Sequence, residues 1–273
     1  MTIWIFIFGL MLSLLTLVPI SIKWELEKKL TIPAAVFIGI ISGSVVYGIF
    51  MFRNFSLYQI IIMELLLIGV ISVLLLLWRF YRDPERVPPN DKNVILSPAD
   101  GQIRYVKKIE KGEIPFSEKK GRTIFLKDFV QADVLPQGGY VIGIAMNYLN
   151  VHVNRAPISG RISLLKYIKG TFLSLKKKEA VVQNERNLII IENEHFKLGI
   201  VQIASRLVRK IVPYIREDQE VRKGARIGVI RFGSQVDLIL PDLPSIHINI
   251  NPGVKVKAGL SIIATVDESN KKQ

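Results

Sequence analysis

Three side chains in this sequence could together activate a hydroxyl: the carboxylate of Asp100, the imidazole of His152 and the hydroxyl of Ser234. Asp100 stands in Ser97-Pro98-Ala99-Asp100-Gly101, a turn that places a carboxylate beside a glycine. His152 stands in the extended stretch Asn147-Tyr148-Leu149-Asn150-Val151-His152-Val153-Asn154-Arg155-Ala156-Pro157. Ser234 follows Gly233 in a stretch that reads as a strand, with apolar Val229, Ile230 and Phe232 before the pair and Val236, Leu238 and Leu240 after it. Acid, imidazole and hydroxyl are the groups needed to make a serine nucleophilic, and such sets are recognised by geometry rather than chain order. The Gly-Ser peptide also offers that serine a target. Its hydroxyl can attack the preceding carbonyl, which a glycine without a side chain leaves open. Each residue has an ordinary use as well: Asp100 bonding its own turn, His152 as a half-buried strand residue, Gly233-Ser234 as a bulge. A second pair, Gly43-Ser44, lies in a hydrophobic run where it eases helix packing, so the dipeptide alone is a weak signal.

Composition narrows the chemistry. The 273 residues carry a formal net charge of +14 and include no cysteine, which excludes a disulfide framework, a thiol nucleophile and a thiolate metal site. His152, His195 and His247 lack metal-ligand spacing, so no metal is expected. A pI near 9.9 accompanies a positive mean hydropathy of +0.33, a pairing that points to membrane spans joined to a basic part.

The elements that must position these residues follow from the pattern. Met1 to Ile22 and Leu30 to Phe52 are uncharged, and Leu57 to Trp78 carries only Glu64. Each is long enough for a bilayer helix of about 20 residues. The first has no basic start and no small-residue cleavage site, so it reads as a retained span. Glu64 is expected near the outer end of the third helix, within reach of water. Lys23, Lys28 and Lys29 in the first connection and Arg79, Arg82 and Arg86 after the third span put the large C-terminal part on the cytoplasmic side of the cell membrane by the positive-inside rule. The expected organisation is an anchor over 1–80, a charged, proline-punctuated linker over 81–93 and one domain over 94–273.

Beyond the linker, short β-branched runs alternate with Gly, Pro and Asn signals: Val94-Leu96, Gln102-Val106, Tyr140-Ala145, Leu188-Ile191, Ile200-Ile203, Ile227-Ile230, Ile246-Ile250 and Leu260-Val266. They predict a mainly β (α+β) domain with one or two helices. Lys169 to Ala180 reads as a solvated basic loop or helix face, and Asp267 to Gln273 as a frayed tail. An internal echo stands out. Ser97-Pro98-Ala99-Asp100-Gly101 matches Ala156-Pro157-Ile158-Ser159-Gly160, and Val221 to Gly224 matches Val256 to Gly259. Turns of this kind resemble the half-motifs of lipoyl- and biotinyl-type barrel sandwiches, without a lysine to carry a cofactor, so they speak for fold rather than function.

The chain resembles the phosphatidylserine decarboxylase proenzymes, in their short membrane-bound class, which includes archaetidylserine decarboxylase-like proteins. The resemblance runs from about Arg79 to Val266. It rests on Phe80-Tyr81-Arg82-Asp83-Pro84-Glu85-Arg86, the Ser97 to Gly101 turn, Leu149 to Pro157, Asn184-Glu185-Arg186, Val201-Gln202-Ile203-Ala204 and Arg231-Phe232-Gly233-Ser234. It implies that Ser234 attacks the Gly233 carbonyl, that an ester and then dehydroalanine form, and that the chain ends as pieces 1–233 and 234–273 packed together. The smaller piece would start with a pyruvoyl group made from Ser234, which condenses with the substrate amine as a Schiff base, with no metal and no external cofactor. The resemblance assigns the activation of that serine to Asp100 and His152. The implied partner is a phospholipid in the membrane, and Arg155, Arg206 and Arg231 are candidates for its phosphate because a guanidinium fork matches phosphate oxygens. Two departures matter: Leu149 stands where the longer class has a second histidine, and Gln235 and Ile239 stand where a basic residue and a smaller one are expected.

Two other readings are weaker. A membrane-anchored barrel-sandwich adaptor, which is not an enzyme, would explain the spans and the echo but needs a long helical hairpin that the sequence lacks. Nucleic-acid binding would explain the charge but needs a basic stripe interleaved with aromatics, which is missing.

Overall fold

The computed structural model describes residues 2–24, 26–53, 55–113, 116–119, 122–125, 134–135, 137–168, 185–204, 210–231 and 235–267. The chain divides into two compact units, Met1–Arg82 with Asn147–Leu149, and Asp83–Met146 with Asn150–Gln273.

The first unit is helical, with α1 Thr2–Lys23, α2 Lys28–Phe50 and α3 Leu57–Tyr81, each long and apolar enough to cross a membrane. A capping box opens α3: the Ser56 hydroxyl accepts from the Gln59 N–H, and the Gln59 side chain accepts from the Ser56 N–H in return. The helix stops where Arg82 becomes extended, just ahead of Asp83-Pro84. Glycines let α1 and α2 touch backbone to backbone. A Cβ on Gly9 would stand 2.8 Å from the Gly39 carbonyl oxygen, and one on Gly39 would stand 2.8 Å from the Leu10 Cα. Glu64 departs from expectation. It is enclosed rather than near water, at 0% exposure, with its carboxyl oxygens 3.0 and 3.1 Å from where a Gly9 Cβ would be. The missing side chain leaves the space that the carboxyl group takes.

The second unit is antiparallel β structure. In chain order it holds β1 Val94–Leu96, β2 Gly101–Ile109, β3 Phe116–Lys119, β4 Arg122–Phe125, β5 Gly139–Ala145, β6 Val153–Arg155, β7 Gly160–Ile168 and β8 Arg186–Glu192. It continues with β9 Lys197–Ile203, β10 Lys210–Pro213, β11 Glu220–Val221, β12 Arg226–Arg231, β13 Gln235–Pro241, β14 Ile246–Ile248, β15 Lys255–Val256 and β16 Ile262–Val266. Eight strands form one sheet in the order β11-β7-β8-β9-β13-β5-β2-β15, accompanied by β1-β16-β14, β10-β12-β6 and the hairpin β3-β4. One face of the large sheet packs Ile142, Ile144, Ile189, Ile200, Val236 and Leu238 into the main core, and its other face buries Val141, Leu188, Val201 and Ile239. Each of the eight β-branched runs contains a strand, whereas the stretch around the Gly-Ser pair is not one strand, since β12 ends at Arg231 in one sheet and β13 starts at Gln235 in another. The expected helices are not found among the described residues, and the basic stretch 169–180 lies outside them. Of the tail expected to fray, 268–273 lie outside the described residues, and Asp267 is tied: its N–H donates to the Ser245 carbonyl at 2.8 Å, and its carboxylate lies 2.8 Å from His247 Nε2.

The sequence echo is a real structural repeat. β15 pairs with β2 through Val256↔Gly101, and β11 pairs with β7 through Val221↔Gly160. The Gly259 N–H donates to the Ser97 carbonyl and the Gly224 N–H to the Ala156 carbonyl, each at 2.8 Å. The halves cross-link reciprocally, Leu96 N–H to the Pro157 carbonyl and Arg155 N–H to the Pro98 carbonyl. Close approach dictates glycine at both turns: a Cβ on Gly101 would stand 2.3 Å from the Ala145 oxygen, and one on Gly160 2.3 Å from the Glu192 oxygen. The chain thus has three apolar N-terminal helices followed by a mainly β domain of barrel-sandwich-like half-motifs.

Candidate active site

Asp100 ends the first half-motif turn, buried where β1 leads into β2. Its Oδ1 accepts from the Ala258 N–H at 2.8 Å, and its Oδ2 from the Val151 N–H at 3.3 Å. Both oxygens also accept from the Arg86 guanidinium end-on, from Nη1 at 2.6 Å and Nη2 at 3.0 Å, and Nη1 donates again to the Ala258 carbonyl at 2.7 Å. This bidentate pair is almost wholly enclosed, the setting in which a carboxylate needs a partner and a full set of donors. None of these bonds reaches the His152 ring. The structure links Asp100 to the histidine segment through the peptide N–H of the preceding residue.

His152 is buried just before β6. Its Nδ1 lies 2.9 Å from the Asn150 carbonyl oxygen. A carbonyl only accepts, so Nδ1 carries the proton in the neutral ring and Nε2 carries the lone pair. The His152 carbonyl accepts from the Ile230 N–H at 3.2 Å, and the register continues Val153↔Val229 and Asn154↔Gly228. The histidine therefore lies beside the last residues of β12, the strand that leads toward the Gly-Ser pair. Chain continues into β13 from Gln235, which pairs with Ala145 of β5 and Ile203 of β9. Phe232, Gly233 and Ser234 lie outside the described residues, between these two strands.

The residues read as a linker fasten onto the β unit. Asp83 bonds Arg155 Nη2 at 3.3 Å and Arg226 Nε at 2.5 Å, and Glu85 takes Arg226 Nη2 at 2.6 Å. Arg155, considered for a phosphate, is 3% exposed, and its terminal nitrogens serve this strap instead, donating also to the Pro84 and Gly224 carbonyls. Burial pushes the Arg155 pKa down, with help from the neighbouring Arg226, while Asp83 pulls it back. Arg226 shifts upward because Glu85 and Asp83 both bond it. Arg206 lies outside the described residues. Arg231, half-buried at the end of β12, pairs with Lys210 of β10 in the strand ladder, and its side chain bonds no described residue.

Two buried polar sets escaped the sequence reading. Asn187 donates to Gln202 Oε1 at 2.9 Å and Gln202 donates to Asn154 Oδ1 at 2.8 Å, a chain of amides from the large sheet to β6. Gly228 makes room for it, since a Cβ there would stand 3.2 Å from Gln202 Nε2. Next to the Gly-Ser pair, Gln235 Nε2 donates to Asp237 Oδ1 at 2.8 Å and to the Tyr105 hydroxyl at 3.0 Å, and that hydroxyl donates to Asp237 Oδ2 at 2.7 Å. The available signal was a polar residue inside an apolar strand, as in Val201-Gln202-Ile203 and Val236-Asp237-Leu238. Among the described residues no group of three or more His, Asp or Glu side chains could hold a metal ion.

Residues 73–264 match the model of the phosphatidylserine decarboxylase family. A protein of Methanocaldococcus jannaschii, which carries the provisional name archaetidylserine decarboxylase proenzyme, is 41% identical over 74% of this chain and 96% of its own length. One of Methanothermobacter thermautotrophicus with the same provisional name is 36% identical over 75% of this chain and 88% of its own. The phosphatidylserine decarboxylase proenzyme of Desulfotalea psychrophila is 35% identical over 68% and 78%. The matched region contains the Arg86–Asp100 pair, the anchored His152 and both strands that flank Gly233-Ser234. By that match, and by a site built from the very segments it spans, this chain belongs to the phosphatidylserine decarboxylase family.

Proposed function

We propose that this chain cuts itself between Gly233 and Ser234 and, with the pyruvoyl group made from Ser234, removes carbon dioxide from the serine headgroup of a membrane phospholipid. The observation that carries this reading is the anchored imidazole. His152 Nδ1 is held by the Asn150 carbonyl, which leaves Nε2 as a proton acceptor, on a residue whose backbone bonds the strand that leads to Gly233. In the proposed step, Ser234 gives its proton to His152 Nε2 and adds to the Gly233 carbonyl carbon. The C–N bond breaks, an ester replaces the amide, and the proton passes to the freed nitrogen. Loss of the Ser234 α-proton then expels the Gly233 carboxylate, and water turns the remaining enamine into a ketone with release of ammonia. The bonds of Gln235, the neighbour of Ser234, to Tyr105 and Asp237 support the reading, since they would hold the start of the smaller piece. The ketone, once joined to the substrate amine, supplies the electron sink for decarboxylation. His152 then serves for proton return at the substrate carbon.

The two pieces have reason to stay together, because 234–273 would keep β13 between β5 and β9, β15 on β2 and β16 on β1. Arg231, whose side chain has no partner among the described residues, is the proposed phosphate ligand, and Arg206 remains a second candidate. The proposed site faces the cytoplasm, which follows from Lys23, Lys28, Lys29, Arg79 and Arg82 at the helix ends. Phosphatidylserine is the first substrate proposed. Archaetidylserine is the second, favoured by the names of the two archaeal relatives.

Intact-mass measurement on the purified protein tests the cut. Two pieces are expected, the smaller one blocked at its N-terminus, and Ser234→Ala should give one inactive chain. An active preparation made of one unsplit chain overturns the proposal. Turnover of phosphatidylserine against archaetidylserine in matched vesicles decides between the substrates.

A further inference from the structure

The two half-motifs cap the same turn with different chemistry. In the second, Ser159 Oγ accepts from the Lys223 N–H at 2.9 Å. In the first, the equivalent bond runs from the Ala258 N–H to Asp100 Oδ1 at 2.8 Å. One hydroxyl oxygen therefore suffices to close the turn, and the fold alone does not require an aspartate. Asp100 adds a second oxygen, and that oxygen accepts from the Val151 N–H. Val151 lies between Asn150, whose carbonyl holds the imidazole, and His152 itself. The extra oxygen comes with a buried charge, which only a partner makes tolerable. Arg86 is that partner. Its fork spans both carboxylate oxygens, and the same guanidinium bonds the Ala258 carbonyl, so the Asp100 plane is set from three sides.

We infer that Arg86 is a positioning residue for the self-cleavage proposed above: acting through Asp100 and the Val151 N–H, it sets the Asn150–His152 segment and hence the direction of the imidazole. This rests on that functional reading. A lysine could keep the charge but not the planar two-point grip, so the geometry of the guanidinium is the property required. The same strap contains its own control. Asp83 carries two ion pairs, to Arg155 and Arg226, and bonds neither Asp100 nor the 150–152 segment. Loss of Asp83 loosens the strap without loosening the histidine.

The test follows splitting of the full-length chain, pulse-labelled during cell-free synthesis into nanodiscs, with thermal unfolding measured in parallel. Arg86→Lys is expected to slow splitting by about tenfold to a hundredfold, the range that a small misplacement of a reacting group can cost. Asp83→Asn should split within about twofold of wild type even if its unfolding temperature falls as far. A second variant guards against loss of fold. Asp100→Ser with Arg86→Met keeps a hydroxyl cap like that of Ser159 and leaves no orphaned charge, and it should fold yet split no faster than Arg86→Lys. The inference is overturned if Arg86→Lys or the double variant splits at the wild-type rate, or if Asp83→Asn slows as much as Arg86→Lys at an equal loss of stability. A wild-type chain that never splits sinks the functional reading and this inference together, whereas a wild-type chain that splits no faster than Arg86→Lys sinks only the inference.

Discussion

Tyr105 reaches Asp237 across β5 because Gly143 stands between them. The three residues share one rung, Tyr105↔Gly143↔Asp237, and a Cβ on Gly143 would lie 2.4 Å from the Tyr105 ring. The phenol thus lies over the glycine and gives its proton to a carboxylate at 0% exposure, three residues beyond Ser234. Tyr105→Phe keeps the ring and removes that donor. Chemical denaturation should show a loss of about 1–3 kcal/mol, the cost of leaving a buried acceptor short of a hydrogen bond. The Arg86–Asp100 pair is a stronger case. Arg86→Ala strands a buried carboxylate and should cost about 3–5 kcal/mol in the same measurement, well above any exposed pair such as Arg161–Asp218.

Strands and turns explain why the site can exist at all. β6 pairs with β12 while β13 lies between β5 and β9, so the strands before and after the Gly-Ser pair belong to two different sheets, and β12 ends beside the backbone of His152. The half-motif turns hold those sheets in place through glycines that no other residue can replace, because the atoms they meet are backbone oxygens that cannot rotate away. Gly101→Ala and Gly160→Ala should each destabilise the protein by about 2–3 kcal/mol, since both would collide with a carbonyl at 2.3 Å. Similar unfolding losses for the two would support their structural equivalence. A neutral Gly160→Ala would refute it. In the helical unit, the Gly9–Gly39 contact plays the corresponding part, and Glu64 occupies the space left beside it.

For the molecule as a whole, the compact β unit begins at Asp83, so the strap belongs with the β unit rather than with the helical one. A chain that starts at Asp83 should still split itself, and one that starts at Asn93 should not, because it lacks Arg86. Gel mobility of the two purified truncations reads this directly. Removal of the helices should also lower turnover of vesicle lipid by about a hundredfold or more, the order of an effective-concentration advantage for a tethered enzyme. Part of that loss should return on anionic vesicles, toward which the net charge of +11 left on residues 83–273 pulls the shortened chain.

The linear sequence by itself determined the apolar spans, the β character of the rest and the repeat of its turns. Those properties come from local periodicity and from turn residues that carry their own backbone preference, such as Pro98 and Gly101 or Pro157 and Gly160. It also singled out Asp100 and His152, because acids and imidazoles are legible by type. Only the tertiary structure decided their partners. Arg86 was legible as part of a motif, but its grip on Asp100 joins residues brought together by the path of the strap. Arg155 was legible as a cation, yet burial against Asp83 and Pro84 gives it a structural task instead. Glu64 was legible as an acid in an apolar helix, and packing against Gly9 of α1, which no property of α3 announces, enclosed it. Hydrogen bonds of this kind depend on which strands become neighbours, and that is settled by the burial of the whole core rather than by any local stretch of chain.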